Sequence, residues 1–316
     1  MSRVLVVIPY LQLTDFQPYH QRKKRLNTRT KMYNKAAVEL RSNAPTSHNL
    51  TGERIMHEIT ARALTLAHET FRCGVPHFRE RRLIPIRTSA HLIVFDVEKI
   101  SLLYTMLEVL PTDETNVERK DNFSSGDVSL PEELSTTEEH YANWNKANPK
   151  FPVDKGHSAG SQYRRSDVVE QSDVDTLAGI TPEASKTNRN CKGPLESAIL
   201  EYAKKQTHTY LVQGPVWYGP EPIHGKLENG QWIPDALFIS AMFLHRKSAR
   251  SWTWLMDNAT RIYGKGGANL HEITLDELEK LTGLYLWGNV RADKFKARRN
   301  KLNKGKKWWM DGQPAH

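Results

Sequence analysis

A chain of 316 residues with 38% hydrophobic side chains can bury a substantial core, either as one large domain or as two small ones. Its formal net charge of +9 and pI near 9.4 favour a polyanionic partner. No run of about eighteen apolar residues occurs, which argues against a membrane span. Two cysteines, Cys73 and Cys191, supply neither a disulfide framework nor a metal-ligand spacing, so a reducing compartment is expected.

In chain order, residues 1–50 form a basic extension. Between Met1 and Val38 stand eight Lys or Arg against the single Asp15. Such a segment suits an organelle transit sequence, hence a mitochondrial location, and equally a nucleic-acid-binding arm. The apolar stretch Val4–Ile8 is too short for a signal-peptide core. Ile55, Ile59, Ala63, Leu66 and Ala67 then recur at helical spacing, predicting an amphipathic helix over 52–72 that ends before Gly74 and Pro76. Arg79 to Arg82 read as a solvated charged face. His91–Asp96 and Leu102–Leu110 read as two antiparallel strands joined by a short turn at Val97–Ser101. Pro111 to Pro149 reads as a long polar loop of the kind that is usually functional. Further on, Tyr210–Val216 and Ala236–Leu244 are strands. Leu275–Leu281 is a short helix with Thr274 as N-cap and Gly283 behind it. Trp252 and Trp254 read as core, and Lys265-Gly-Gly267 as a turn. Residues 291–316 are again basic, with nine Lys or Arg against Asp293 and Asp311. There Lys304, Lys306 and Lys307 adjoin Trp308-Trp309, which suits single-strand binding or packing onto the domain. Strands and helices interspersed without a βαβ period make the class α+β.

The residues that carry chemistry lie between these elements. Phe151-Pro-Val-Asp-Lys-Gly-His157 is followed by Asn188 and, eight positions on, by Glu196. A histidine, an amide and a carboxylate in this order form the residue set of a one-metal site that cleaves phosphodiesters. A neutral imidazole can take a proton from water near pH 7, which makes His157 the candidate general base. Asp154 could orient that imidazole, or it could be a turn carboxylate bonding backbone N–H groups.

From about Arg72 to Asn289 the chain resembles the DNA/RNA non-specific endonucleases of the ββα-metal (His-Me finger), endonuclease G-like type. Asp154-Lys-Gly-His157 stands against that family's Asp-Arg-Gly-His, and the block from Ile180 to Glu196 matches its metal-binding segment without a gap. Cys73-Gly-Val-Pro76, Arg119–Phe123, Asp127, Pro131, Val212–Pro215, Ile233–Asp235 and Leu275–Gly283 agree in order. The resemblance implies a central antiparallel sheet flanked by helices, over a domain at 51–290. It also implies a sugar-nonspecific endonuclease that uses Mg²⁺, with Mn²⁺ as the alternative, and leaves 5′ phosphates. Asn188 would be the direct protein ligand of the ion, and Glu196 would hold the waters around it. Lys155, in place of the family's arginine, keeps a positive charge near the phosphate but loses bidentate geometry.

Nucleic acid is the expected partner, with Arg189, Lys99, Lys306 and Lys307 as its phosphate contacts; no membrane partner is expected. A homodimer or a ribonucleoprotein assembly would suit the fold. The chain also departs from the family pattern. Glu98, Lys99 and Ile100 occupy the turn where relatives carry substrate-reaching arginines, and Leu200 stands where some have another arginine. Gly193-Pro194 falls inside the expected metal-binding helix. Either that helix begins near Asn190–Gly193 and leaves Asn188 on a loop, or the site is distorted. These departures motivate an alternative, a nuclease-fold protein with little or no catalysis that serves as a nucleic-acid-binding or mitoribosome-type ribonucleoprotein component.

Overall fold

The structure, a computed structural model, describes residues 76, 83–88, 91–109, 130–160, 163, 175–206, 208–245, 248–260 and 270–287. All of them belong to His48–His316, the second of the two units into which the chain divides. Several expectations therefore lie outside the described residues: the helix over 52–72, the run Arg79–Arg82, Cys73, Arg119–Phe123, Asp127, Lys265–Gly267, and both basic extensions with Lys306, Lys307 and the Trp308-Trp309 pair.

Seven strands form one antiparallel sheet: β1 (Leu83–Arg87), β2 (Leu92–Asp96), β3 (Ser101–Val109), β6 (His208–Val216), β7 (Ala236–His245), β8 (Ser248–Asp257) and β9 (Leu270–Glu272), in that spatial order. A separate two-stranded ladder pairs β4 (Val153–His157) with β5 (Ile180–Ala184). Among the described residues, three helices of eight residues or more accompany them: α1 (Glu138–Ala147), α2 (Gly193–Ala203) and α3 (Leu275–Thr282). The class is α+β.

Why β7 reads as a nearly continuous apolar run is evident from what covers it. Phe238 and Met242 point to one face, where Leu275 and Leu278 of α3 pack together with Leu284, Leu286 and Trp287. Leu237, Ile239, Ala241 and Phe243 point to the other, where Leu195, Ile199 and Ala203 of α2 pack. A sheet covered on both faces has no polar side to alternate with. β8 still alternates, with Ala249 and Leu255 facing α3, and with Trp252, Trp254 and Met256 facing α2. Both tryptophans are therefore core, as their sequence setting predicts. β1 is an edge strand, where Pro85 costs no ladder bond that a neighbour needs.

The stretch expected to be a polar loop carries regular structure within its described part, residues 130–149. It holds a 3₁₀ turn at Glu132–Leu134 and α1. The sequence of α1, EEHYANWNKA, buries only Tyr141, so no apolar period marks it. Its start is fixed instead by the Thr137 N–H donating to His140 Nδ1 at 3.1 Å.

The cap of α3 matches its prediction. Thr274 Oγ1 accepts from the Glu277 N–H at 3.1 Å, Glu277 Oε2 accepts from the Thr274 N–H, and Gly283 terminates the helix at φ 72°. Thr274→Ala is expected to cost about 1 kcal/mol and lower Tm by about 2 °C in a thermal melt, without changing the fold.

Candidate active site

The His157 strand is held from several sides. Asn145 of α1 clamps the Val153 backbone, donating to its carbonyl at 3.0 Å and accepting from its N–H at 2.8 Å. Just past the strand, the Ser158 carbonyl accepts from Thr105 Oγ1 at 2.7 Å, which ties this end to β3 of the main sheet. β5 is pinned by Asn258, whose Oδ1 accepts from the Ala184 N–H and whose Nδ2 donates to the Pro182 carbonyl.

At the end of β4 the imidazole of His157 is buried, with Nε2 2.8 Å from Oδ1 of Asp175. A carboxylate only accepts, so Nε2 carries a proton and the basic lone pair of the neutral ring falls on Nδ1. Asp175 stands just before the 3₁₀ turn Leu177–Gly179 that leads into β5. The sequence reading did not find this residue. Its only visible signal was an acid two residues before an apolar turn.

Asp154 does not hold that imidazole, nor does it sit in a turn. Strand alternation places it on the face of β4 opposite to His157. Its carboxylate accepts from Ser185 Oγ at 2.7 Å, from Arg189 Nε and a terminal nitrogen at 2.9 and 3.0 Å, and from Asn188 Nδ2 at 3.4 Å. Because the carboxylate must face the NH₂ end of the Asn188 amide, the carbonyl end is turned to the other side. Asp154 also holds Arg189 firmly cationic through these hydrogen bonds, although the guanidinium is 70% exposed.

The α-helix proper begins at Gly193, within the expected Asn190–Gly193 range, but it does not leave Asn188 on a loop. The backbone is helical from Ser185 onward, passes through a π turn at Asn188–Lys192 and continues into α2, with Pro194 in the first α-helical turn. The Gly193 N–H bonds to the Asn188 carbonyl, five residues back, which resets the ladder where proline has no donor. Asn188 is therefore in helical backbone, at φ −57° and ψ −50°. At about 100° per residue, eight α-helical steps would leave Glu196 about 80° round from Asn188. A π turn advances less per residue, so it swings Glu196 toward the Asn188 side.

Glu196 is buried, and its carboxylate lies against Gly160: a Cβ there would fall 2.8 Å from its Cδ and both oxygens. Between the two helix positions, Lys192 reaches across to β4. Its Nζ donates to the His157 carbonyl and to Glu183 Oε1, both at 2.5 Å, and both side chains are buried. Burial raises the Glu183 pKa above its ordinary value, the Lys192 charge opposes this, and Asp154 adds to it. Gly156 is required here, since a Cβ would collide with the Glu183 side chain.

The remaining predicted residues separate. Lys155 is on the His157 face, but its ammonium is ion-paired with Glu138 of α1. Lys99 sits over the ring of Trp232 at 3.5 Å, with Trp217 at 4.9 Å, so its charge is engaged by aromatic faces. The turn that carries it is strained, with Ile100 at φ 47°. Among the described residues, no three His, Cys, Asp or Glu stand together as a metal-binding group.

The sequence model of the family described as DNA/RNA non-specific endonuclease matches residues 81–293. A nuclease of Nostoc sp. is 26% identical over an alignment 188 positions long that covers 55% of this chain and 62% of that protein. A nuclease of Serratia marcescens is 29% identical over an alignment 161 positions long that covers 48% of this chain and 57% of that one. The chain thus spans less than two thirds of the length of these relatives. Among solved structures, a chain of the EndoG/EndoGI complex superposes with TM-score 0.58 at 15% identity, covering 71% of this chain and 91% of that chain. This likeness establishes the fold, the ββα-metal nuclease fold.

Proposed function

The chain belongs to the DNA/RNA non-specific endonuclease family, and from that premise we propose that it is a metal-dependent endonuclease hydrolysing phosphodiesters of DNA and RNA to 5′-phosphate ends. One observation carries the reading. The buried His157–Asp175 pair ends a strand whose carbonyl is bonded to Lys192, and Lys192 lies midway between Asn188 and Glu196 on one helix.

In this reading His157 takes a proton from the attacking water, and Asp175 orients the ring and balances the positive charge it acquires. Asn188 offers a neutral amide oxygen whose direction Asp154 fixes. A single such donor, with the carboxylate of Glu196 on the same side, fits a hard cation that keeps most of its waters, as Mg²⁺ does. When bound, the ion would polarise the scissile phosphate and stabilise the leaving oxygen. Arg189 is the exposed cation beside this corner and supplies a phosphate contact.

A nicking assay on supercoiled plasmid tests this. At low salt, nicking is expected to rise with Mg²⁺ or Mn²⁺, to stop on chelation with EDTA, and to fall steeply as salt increases. The nicks should be sealed directly by a ligase that requires 5′ phosphates. Tight nucleic-acid binding without nicking at any metal level would instead establish the binding-only alternative.

A further inference from the structure

We propose that the loop 217–226, with Lys99 and Phe151 beside it, is a nucleobase-stacking subsite for an unpaired nucleotide of the substrate strand; this rests on the nucleic-acid reading above. The loop leaves β6 and carries Trp217, Tyr218, Ile223, His224 and Lys226. Tyr218 is 49% exposed and Ile223 70%, the two most open large hydrophobic side chains among the described residues. Their backbone is nevertheless fixed. One carboxylate, Asp235, accepts from the Tyr218 and Ile223 N–H groups at 2.8 Å each. Phe151 and His224 are stacked on each other at 4.3 Å and 23° between planes, a pair of rings held in contact beside the loop.

Cations interleave with these rings. Lys99 lies over Trp232 and Trp217, and Lys226 lies 4.8 Å from the Trp232 ring while pairing with Glu221 at 2.9 Å. Rings alternating with ammonium groups form the surface that single strands use, because every base has a π-face and every linkage a charge.

The placement joins this surface to the cleaving residues. Phe151 is two residues before β4 begins and three before Asp154, a reach of at most about 10 Å. On the other side, the Asp257 carbonyl accepts from Thr187 Oγ1 at 2.9 Å, next to Asn188, and the Asp257 charge acts on the Tyr218 phenol. A strand crossing the Asp154–Asn188 corner would therefore meet these rings next. Burial lowers the His224 pKa, with Asp235 opposing, so the ring is neutral and stacks without a charge at pH 7.

The test uses the full chain in EDTA, so that cleavage plays no part. The probes are two fluorescein-labelled oligomers of about 12 nucleotides, one of deoxythymidine and one of abasic sugar-phosphate. Fluorescence anisotropy is expected to show the thymidine strand binding more tightly than the abasic one. Tyr218→Ala should weaken the thymidine strand about 5- to 30-fold and leave the abasic strand unchanged, while Tyr218→Phe restores wild-type binding. Equal binding of the thymidine strand by wild type and Tyr218→Ala would overturn the subsite, even in a protein that nicks plasmid. Base-dependent binding by a protein that never nicks would support the subsite and refute only the cleavage reading.

Discussion

His157→Ala is expected to lower the plasmid-nicking rate about 10²- to 10⁴-fold, the contribution of a positioned general base. The substitution has a second effect that must be separated from the first. It leaves the Asp175 carboxylate, whose side chain is 5% exposed, without the imidazole it is bonded to, at a cost of about 1–3 kcal/mol. The double variant His157→Ala/Asp175→Asn removes that unpaired charge. It should recover much of the lost stability in a denaturant melt and none of the activity. Added imidazole should partly restore nicking by His157→Ala, because a small base can occupy the space vacated. Asp175→Asn alone keeps an acceptor for Nε2 but loses the charge that balances the imidazolium, so kcat should fall while KM stays near wild type. Wild-type nicking by His157→Ala, with the fold intact, would remove His157 from the chemistry.

How legible this site was depends on which kind of contact each residue makes. His157, Asn188 and Glu196 could be read because their order and spacing are local features of the chain. Asp175 could not, because its contact with His157 bridges 18 positions across the connection between β4 and β5, and nothing in its neighbours marks it. Asp154 was legible as important but not in its role. The alternation of a strand decides that role: it turns the side chain away from His157 and toward the helix. Lys155 and Lys99 were identified as cations, yet Glu138 and the Trp232 ring, both distant in sequence, determine where their charges lie.

The fold divides along similar lines. β2, β3, β6, β7 and α3 were legible from apolar runs and cap chemistry, within a residue or two at their ends. β4 and β5 were not, since Val-Asp-Lys-Gly-His and Ile-Thr-Pro-Glu-Ala have no strong β signal and are made strands by mutual pairing and by the Asn145, Thr105 and Asn258 contacts. The π turn was illegible for a different reason. Gly193-Pro194 warns of a broken α ladder, and the i to i+5 bond that accommodates it is one of several ways to answer that warning.

Lys192→Met should be the most destabilising single change at the site, about 3–5 kcal/mol, because it leaves the Glu183 carboxylate buried without its counter-charge. The sign of its pH dependence follows from Glu183. In the wild type its folded pKa is already raised by burial, so its favourable contribution is full below the ordinary glutamate value and is lost as pH rises through the raised one. Both effects that hold it down come from Lys192, so the methionine variant raises it further. The deficit against wild type, measured by urea denaturation, should therefore be largest at neutral to alkaline pH and shrink as pH falls toward the ordinary glutamate range. Adding Glu183→Gln should recover most of the stability at neutral pH and flatten that dependence. It should not recover full nicking, since the Lys192 bond to the His157 carbonyl, which fixes the base strand against the Asn188–Glu196 helix, stays broken. A double variant that nicks at the wild-type rate would show the pair to serve stability alone.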